Sequence, residues 1–89
     1  MKVSKSLSIG DLSFKYTRRH PPVVGFIVSR RYGSAVSRNL FKRRCRALFH
    51  NLFIKHNAGI ALIIKPNMAN LSYSQIEYSL GVLHEKICV

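Results

Sequence analysis

The stretch VVGFIVSRRYGSAVSRNLFKRRCRALF, Val23 to Phe49, changes character twice, and those changes decide the fold. Val23 to Ser29 is a short continuous apolar run with β-branched residues, which reads as an interior strand. Gly33-Ser34 then breaks the chain, and Ser34 is placed to cap a helix N-terminus. From Ala35 to about Phe53 the chain has helical length, roughly 28 Å at ~1.5 Å per residue. Phe41, Cys45, Leu48 and Leu52 form its core stripe at three- and four-residue spacing. Leu40 and Ala47 lie on another side, and Arg44 falls between the two apolar sets with no direction assigned. After a loop at Asn57-Ala58-Gly59, the run IALIIK from Ile60 to Lys65 reads as a second interior strand, ended by Pro66-Asn67. Two apolar strands flanking a helix imply a βαβ unit with parallel pairing.

Upstream, Leu12, Phe14 and Tyr16 alternate with Ser13, Lys15 and Thr17, the period of a half-buried strand. Arg18-Arg19-His20-Pro21-Pro22 forces a turn, since proline cannot donate to a ladder. Residues 1–10 are polar and Ser-rich and read as a loose, flexible segment ahead of one domain over residues 11–89. Downstream, Ser72-x-x-Gln75 has capping-box spacing. Tyr73, Ile76, Leu80, Leu83 and Ile87 continue it as an amphipathic helix, which Gly81 weakens by about 1 kcal/mol relative to Ala. The expected architecture is α/β (α+β): a two-layer sandwich with a small mixed sheet. At 89 residues the chain makes a single small domain with a modest core.

Charge carries the functional reading. Ser29 to Arg46 holds seven of the fifteen Lys and Arg residues and no acid. Arg38, Lys42 and Arg46 recur every four residues and stack on one helix face, with Asn39 and Arg43 on the same side. The net charge is +12, and the only acids are Asp11, Glu77 and Glu85. A solvated helix face normally mixes both signs, and here no acid is at hand to pair. The face therefore predicts a polyanionic partner, nucleic acid ahead of an anionic membrane surface. Arginine offers a planar fork that matches phosphate oxygens, lysine a point charge, and asparagine both donor and acceptor for a sugar or base edge. Phe14 and Tyr16 share one strand face and are candidates for stacking bases; packing in the core is the competing reading.

Several classes are not supported. No apolar run approaches the ~20 residues of a membrane span, and the N-terminus lacks a secretory apolar stretch. Cys45 falls on the apolar stripe, and Cys45 and Cys88 read as a reduced, cytoplasmic pair. His20, His50, His56 and His84 show no metal spacing, so no metal site is expected. Three scattered acids supply no visible general acid/base pair, so no catalytic residue is assigned.

The segment Val28-Ser29-Arg30-Arg31-Tyr32-Gly33-Ser34-Ala35-Val36-Ser37-Arg38-Asn39-Leu40-Phe41-Lys42-Arg43 resembles the signature of the bacterial ribonuclease P protein subunit, roughly V-S-K-K-x-G-N-A-V-x-R-N-x-x-K-R. The likeness extends over about Leu12 to Leu83. Ser34 stands where Asn is usual and Leu40 where a basic residue is common. The family also has an amphipathic helix before its first strand, where this chain has only the polar residues up to Gly10, so that helix is expected to be missing. The resemblance implies an α/β sandwich with a left-handed crossover, against the general right-handed preference. It implies an RNA subunit that cleaves with Mg²⁺, and a protein that binds no metal in a dedicated site. It places Arg38, Asn39, Lys42, Arg43 and Arg46 against the catalytic RNA, with Arg30 and Arg31 extending that surface. Tyr16 and Phe14 would line a sheet facing the precursor tRNA leader. The implied partners are the RNase P RNA and precursor tRNA, with no membrane and no small-molecule substrate. Another structural RNA-binding protein, such as a ribosomal protein, shares the charge argument, whereas a stand-alone nuclease would need acids or paired histidines that are not visible.

Overall fold

The computed structural model describes residues 5–19, 21–55 and 59–88. Its elements are β1 (Lys5–Ile9), β2 (Leu12–Arg18), β3 (Val23–Phe26), α1 (Ala35–Phe49), β4 (Ile60–Pro66) and α2 (Tyr73–Cys88). The sheet order is β1-β2-β4-β3. β2 pairs antiparallel with both β1 and β4, while β3 pairs parallel with β4 across the α1 crossover. The sheet is therefore mixed, and β3-α1-β4 is the expected βαβ unit.

Period-2 alternation sorts the sheet into two faces. Leu12 and Phe14 of β2 and Ile60, Leu62 and Ile64 of β4 are buried. They form one cluster with Phe41, Cys45, Leu48 and Phe49 of α1 and Ile76, Leu80, Leu83 and Ile87 of α2. Both helices thus cover the same side, and α1 packs toward β3 while α2 packs toward β1. The other side of the sheet carries Ser6, Ser8, Ser13, Lys15, Ile63, Lys65 and, just past β3, Ile27, and no helix covers it.

The loose N-terminal segment is corrected in part: Lys5–Ile9 is an edge strand. Its partner β2 imposes the extended form that the serines alone do not favour. Gly10 and Asp11 make the two-residue hairpin loop, and Gly10 takes φ +57°, a conformation open to glycine. A Cβ at Gly10 would stand 2.8 Å from Ser79 Oγ, so glycine also allows the loop to close on α2. The central helix is shorter than its apolar pattern suggests. Regular α geometry stops at Phe49, and His50–Ile54 continues as a π-helical turn that stacks Phe53 on Phe49, ring centroids 5.1 Å apart. The second helix begins as its capping box predicts. Ser72 N–H donates to Gln75 Oε1 at 2.8 Å, and Gln75 N–H donates to Ser72 Oγ at 3.2 Å. Tyr73, placed on the apolar stripe by spacing, is exposed. Gln75 also donates through Nε2 to Asp11 Oδ2 at 2.9 Å, tying the helix start to the hairpin.

Candidate nucleic-acid interface

The entry to α1 is held from both sides. Arg30–Tyr32 form a 3-10 turn whose Tyr32 is buried, its ring 5.0 Å from Phe41. Tyr32 Oη accepts the Leu71 N–H at 3.0 Å, and burial pushes the phenol above its ordinary pKa although that bond pulls it back. The Ser34 hydroxyl accepts the Ser37 N–H at 3.2 Å, the N-cap bond expected from sequence. A Cβ on Gly33 would stand 3.1 Å from Ser37 Cβ, so the turn folds tightly under the first helical turn. Arg30 and Arg31, with Tyr32 as their anchor, are exposed.

From this start α1 presents its cations on one flank. Asn39, Lys42, Arg43 and Arg46 line one open groove of about 540 Å³, together with Val36 and Leu40. Arg46 lies over the ring of Phe26, its guanidinium carbon 5.2 Å from the centroid, in cation–π range. The flank therefore faces the β3 edge of the sheet. Arg38 is half-buried and turns back to donate through Nη1 to the Gly33 carbonyl at 3.0 Å. One of its five donors serves the turn, and it does not line the groove with the other four. None of the described Lys and Arg residues forms an ion pair with an acid, so the charge of the flank is uncompensated within the protein.

Phe14, Tyr16 and Arg31 lie away from the α1 groove. Phe14 is 1% exposed on the helix-covered side of the sheet, in the core with Leu12 and Ile64. An aromatic in register with Leu12 follows it into the core. Tyr16 shares that side and packs half-buried against the core. The open face carries the alternate positions: Ser6, Ser8, Ser13, Lys15, Ile27, Ile63 and Lys65 line a groove of about 370 Å³, to whose lining Leu7 and Phe14 also contribute. Arg31, expected with Arg30 to extend the α1 surface, is exposed. It lines a neighbouring groove of about 540 Å³ with Ile27, Ser29, Lys65 and Met68. The shared residues Ile27 and Lys65 make these two grooves one continuous path. The sequence signal for this surface is the polar half of the strand alternation, Ser13-x-Lys15, paired across the sheet with Lys65 and Ile63.

Arg44, undirected from sequence, turns to the flank away from Arg46, into a groove with Tyr32, Ser37, Asn70 and Ser72. Cys45 is fully buried, and burial pushes its thiol up to about 12 against the opposing pull of Arg46. Among the described residues no three His, Cys, Asp or Glu side chains converge to hold a metal ion. No helix among them is long and apolar enough to cross a membrane.

A family model described as Ribonuclease P matches residues 3–88. The chain is 34% identical over 67 residues to the ribonuclease P protein component of Finegoldia magna, covering 73% of this chain and 59% of that protein. It is 40% identical over 58 residues to the corresponding protein of Pseudarthrobacter chlorophenolicus, covering 63% of this chain and 43% of that one. The chain spans about half the length of the curated relatives it matches. In three dimensions it resembles the RNase P protein from Thermotoga maritima with a TM-score of 0.76 at 20% identity, covering 94% of this chain and 84% of that one. The RNase P protein of Staphylococcus aureus gives a TM-score of 0.74 at 22% identity, covering 94% and 83%. At these identities the structural likeness speaks for the fold.

Proposed function

The chain belongs to the ribonuclease P protein family, and on that premise we propose that it is the RNA-binding protein subunit of a ribonuclease P ribonucleoprotein. In that role it assists a catalytic RNA in removing the 5′ leader of precursor tRNA in the cytoplasm. The observation that carries the reading is the α1 groove, where Lys42, Arg43 and Arg46 stand beside Asn39 with no acid to neutralise them. This flank fits the catalytic RNA, with the cations on phosphates and Asn39 on a sugar or base edge. Arg38 contributes its remaining donors at the same end of the helix.

The precursor tRNA leader fits the open sheet face rather than the Phe14 side. A single strand there meets Lys15, Lys65 and Arg31 as phosphate partners and Ile27, Ile63 and Met68 as apolar contacts. Phosphodiester cleavage and its Mg²⁺ are assigned to the RNA, and the protein's part is charge neutralisation and substrate positioning. No acid lines these grooves, and Asp11, next to β2 in sequence, accepts a hydrogen bond from Gln75.

The test is 5′ processing of a precursor tRNA by a cognate P RNA across a Mg²⁺ titration. Adding the protein is expected to lower the Mg²⁺ requirement, and Lys42→Ala with Arg43→Ala is expected to weaken that effect. Processing that responds to neither protein nor variant would sink the assignment.

A further inference from the structure

A second set of cations converges at the other edge of the sheet. Lys5 at the start of β1, Arg18 at the end of β2 and Lys86 in the last turn of α2 line one groove of about 260 Å³ with Tyr16, Thr17 and Ile87. These residues are far apart in sequence, and topology brings them together. Lys5 pairs with Tyr16, so β1 begins where β2 is ending and leaves Arg18 beyond it. α2 packs toward β1 and brings Lys86 to the same corner, with the adjacent Ile87 buried.

This groove is separate from the α1 flank. β1 and β3 are the two edges of the sheet, and the α1 groove lies at the β3 edge, where Arg46 covers Phe26. Three strand spacings of ~4.8 Å put the edges about 14 Å apart, beyond the ~8 Å screening length at physiological salt. No acid lines the groove, and none of its three cations is paired with a carboxylate. Three like charges around one concavity repel while it is empty, and an anion relieves that repulsion.

The surrounding groups suit a ribonucleotide backbone. Arg18 offers a fork for phosphate oxygens and the two lysines offer point charges. The Tyr16 and Thr17 hydroxyls can donate to, or accept from, a ribose 2′-OH. We infer that the Lys5–Arg18–Lys86 groove is a second RNA-backbone site, so that one molecule holds two RNA segments at opposite edges of its sheet. The inference rests on the proposed RNA-binding role and adds a second, independent contact to it. Tyr16 regains a nucleic-acid contact here, at the rim of the core rather than on the open face.

A bridging assay tests this. The full chain is bound to an immobilised 20-nucleotide oligouridylate, washed, and offered a fluorescent 20-nucleotide oligouridylate. The wild-type chain is expected to capture the second strand. The Lys5→Ala, Arg18→Ala, Lys86→Ala triple variant is expected to bind the immobilised strand and lose at least about three-quarters of the capture. At ~0.7 per contact for single strands, the triple variant should flatten the salt slope of capture by about two units. All three residues are exposed, and the charge-preserving variant Lys5→Arg, Arg18→Lys, Lys86→Arg should retain capture, which separates charge from folding. Wild-type binding to the first strand without capture of a second overturns the inference while the RNA-binding role stands. No binding to the first strand overturns both. Preferential capture of poly-glutamate over RNA overturns the assignment of the groove to RNA.

Discussion

Replacing Arg46 with alanine separates two tasks that one side chain performs. Its guanidinium covers the Phe26 ring at 5.2 Å and also lines the groove with Lys42 and Arg43. At an exposed site the cation–π contact contributes about 0.5–1 kcal/mol. For a domain this small, losing that contact lowers Tm by about 2 to 8 °C. The phosphate task scales differently. Losing one of about five contacts should flatten the slope of log K against log salt by about 0.7 to 0.9. The binding defect is then about tenfold at 50 mM salt and under about twofold at 0.5 M. Arg46→Lys should keep the slope and lose part of the affinity, because the charge remains and the planar fork does not. Fluorescence anisotropy with P RNA across that salt range, with thermal unfolding of the free protein, reads both tasks. A defect of equal size at both salt concentrations would show that Arg46 acts only by packing on Phe26, and would refute the phosphate role.

Other expectations concern the fold beneath the site. Gly10→Ala should destabilise the protein by about 1–3 kcal/mol, since it sets a Cβ at φ +57° and 2.8 Å from Ser79 Oγ. Ser79 Oγ is buried with no partner, so Ser79→Ala should be neutral or stabilising and should rescue part of the Gly10→Ala loss in a double-mutant cycle by urea unfolding. Phe14→Ala should cost about 3–5 kcal/mol. Lys15→Ala should leave stability within about 0.5 kcal/mol and weaken binding of a leader-bearing precursor tRNA. The Cys45 thiol titrates near 9 when unfolded and about 12 when folded. Its contribution is therefore complete below pH 9 and lost as pH rises toward 12. In a Cys88→Ser background Cys45 should resist iodoacetamide at pH 8, and Cys45→Ala should make stability fall less steeply above pH 9. Rapid alkylation of the native protein would contradict the buried, neutral thiol.

Local chemistry made much of this structure legible. The apolar run around Leu62 specifies an interior strand; the run around Val24 specifies a strand but not its place, since β3 lies at the sheet edge with β4 as its one partner. Ser34 and the Ser72/Gln75 pair specify helix starts that form as read. Unpaired charge at four-residue spacing marked the α1 flank. The β1 strand was not legible, because serines at Ser6 and Ser8 carry no strand signal until β2 supplies a partner. Nor was the helix end legible, since a π-helical turn keeps Phe53 in the core with almost the same apolar spacing. Of the two readings open for Phe14, core packing is the one the structure takes, for a plain reason. Alternation divides a strand into two faces, and the apolar half, here Leu12 and Phe14, goes under the helices. An aromatic placed for solvent would have stood at Ser13 or Lys15. Arg44 lacked a direction because its neighbours Asn70 and Ser72 come from the loop after β4, beyond the reach of any local pattern. The Lys5–Arg18–Lys86 groove is likewise a product of topology that no local window contains.

The strand order also governs how this protein can be made. β4 stands between β2 and β3, so the sheet has no centre until residue 66 has been synthesised. Until then the β1–β2 hairpin holds Leu12 and Phe14 without the strand beside them, while α1 has local bonds alone to form its turns. On its own that helix is marginal, since its fifteen residues set like charges four apart at Arg38, Lys42 and Arg46. An RNA bound to its basic flank would reduce self-repulsion just as the two halves of the chain must meet, acting as a folding partner as well as a binding partner.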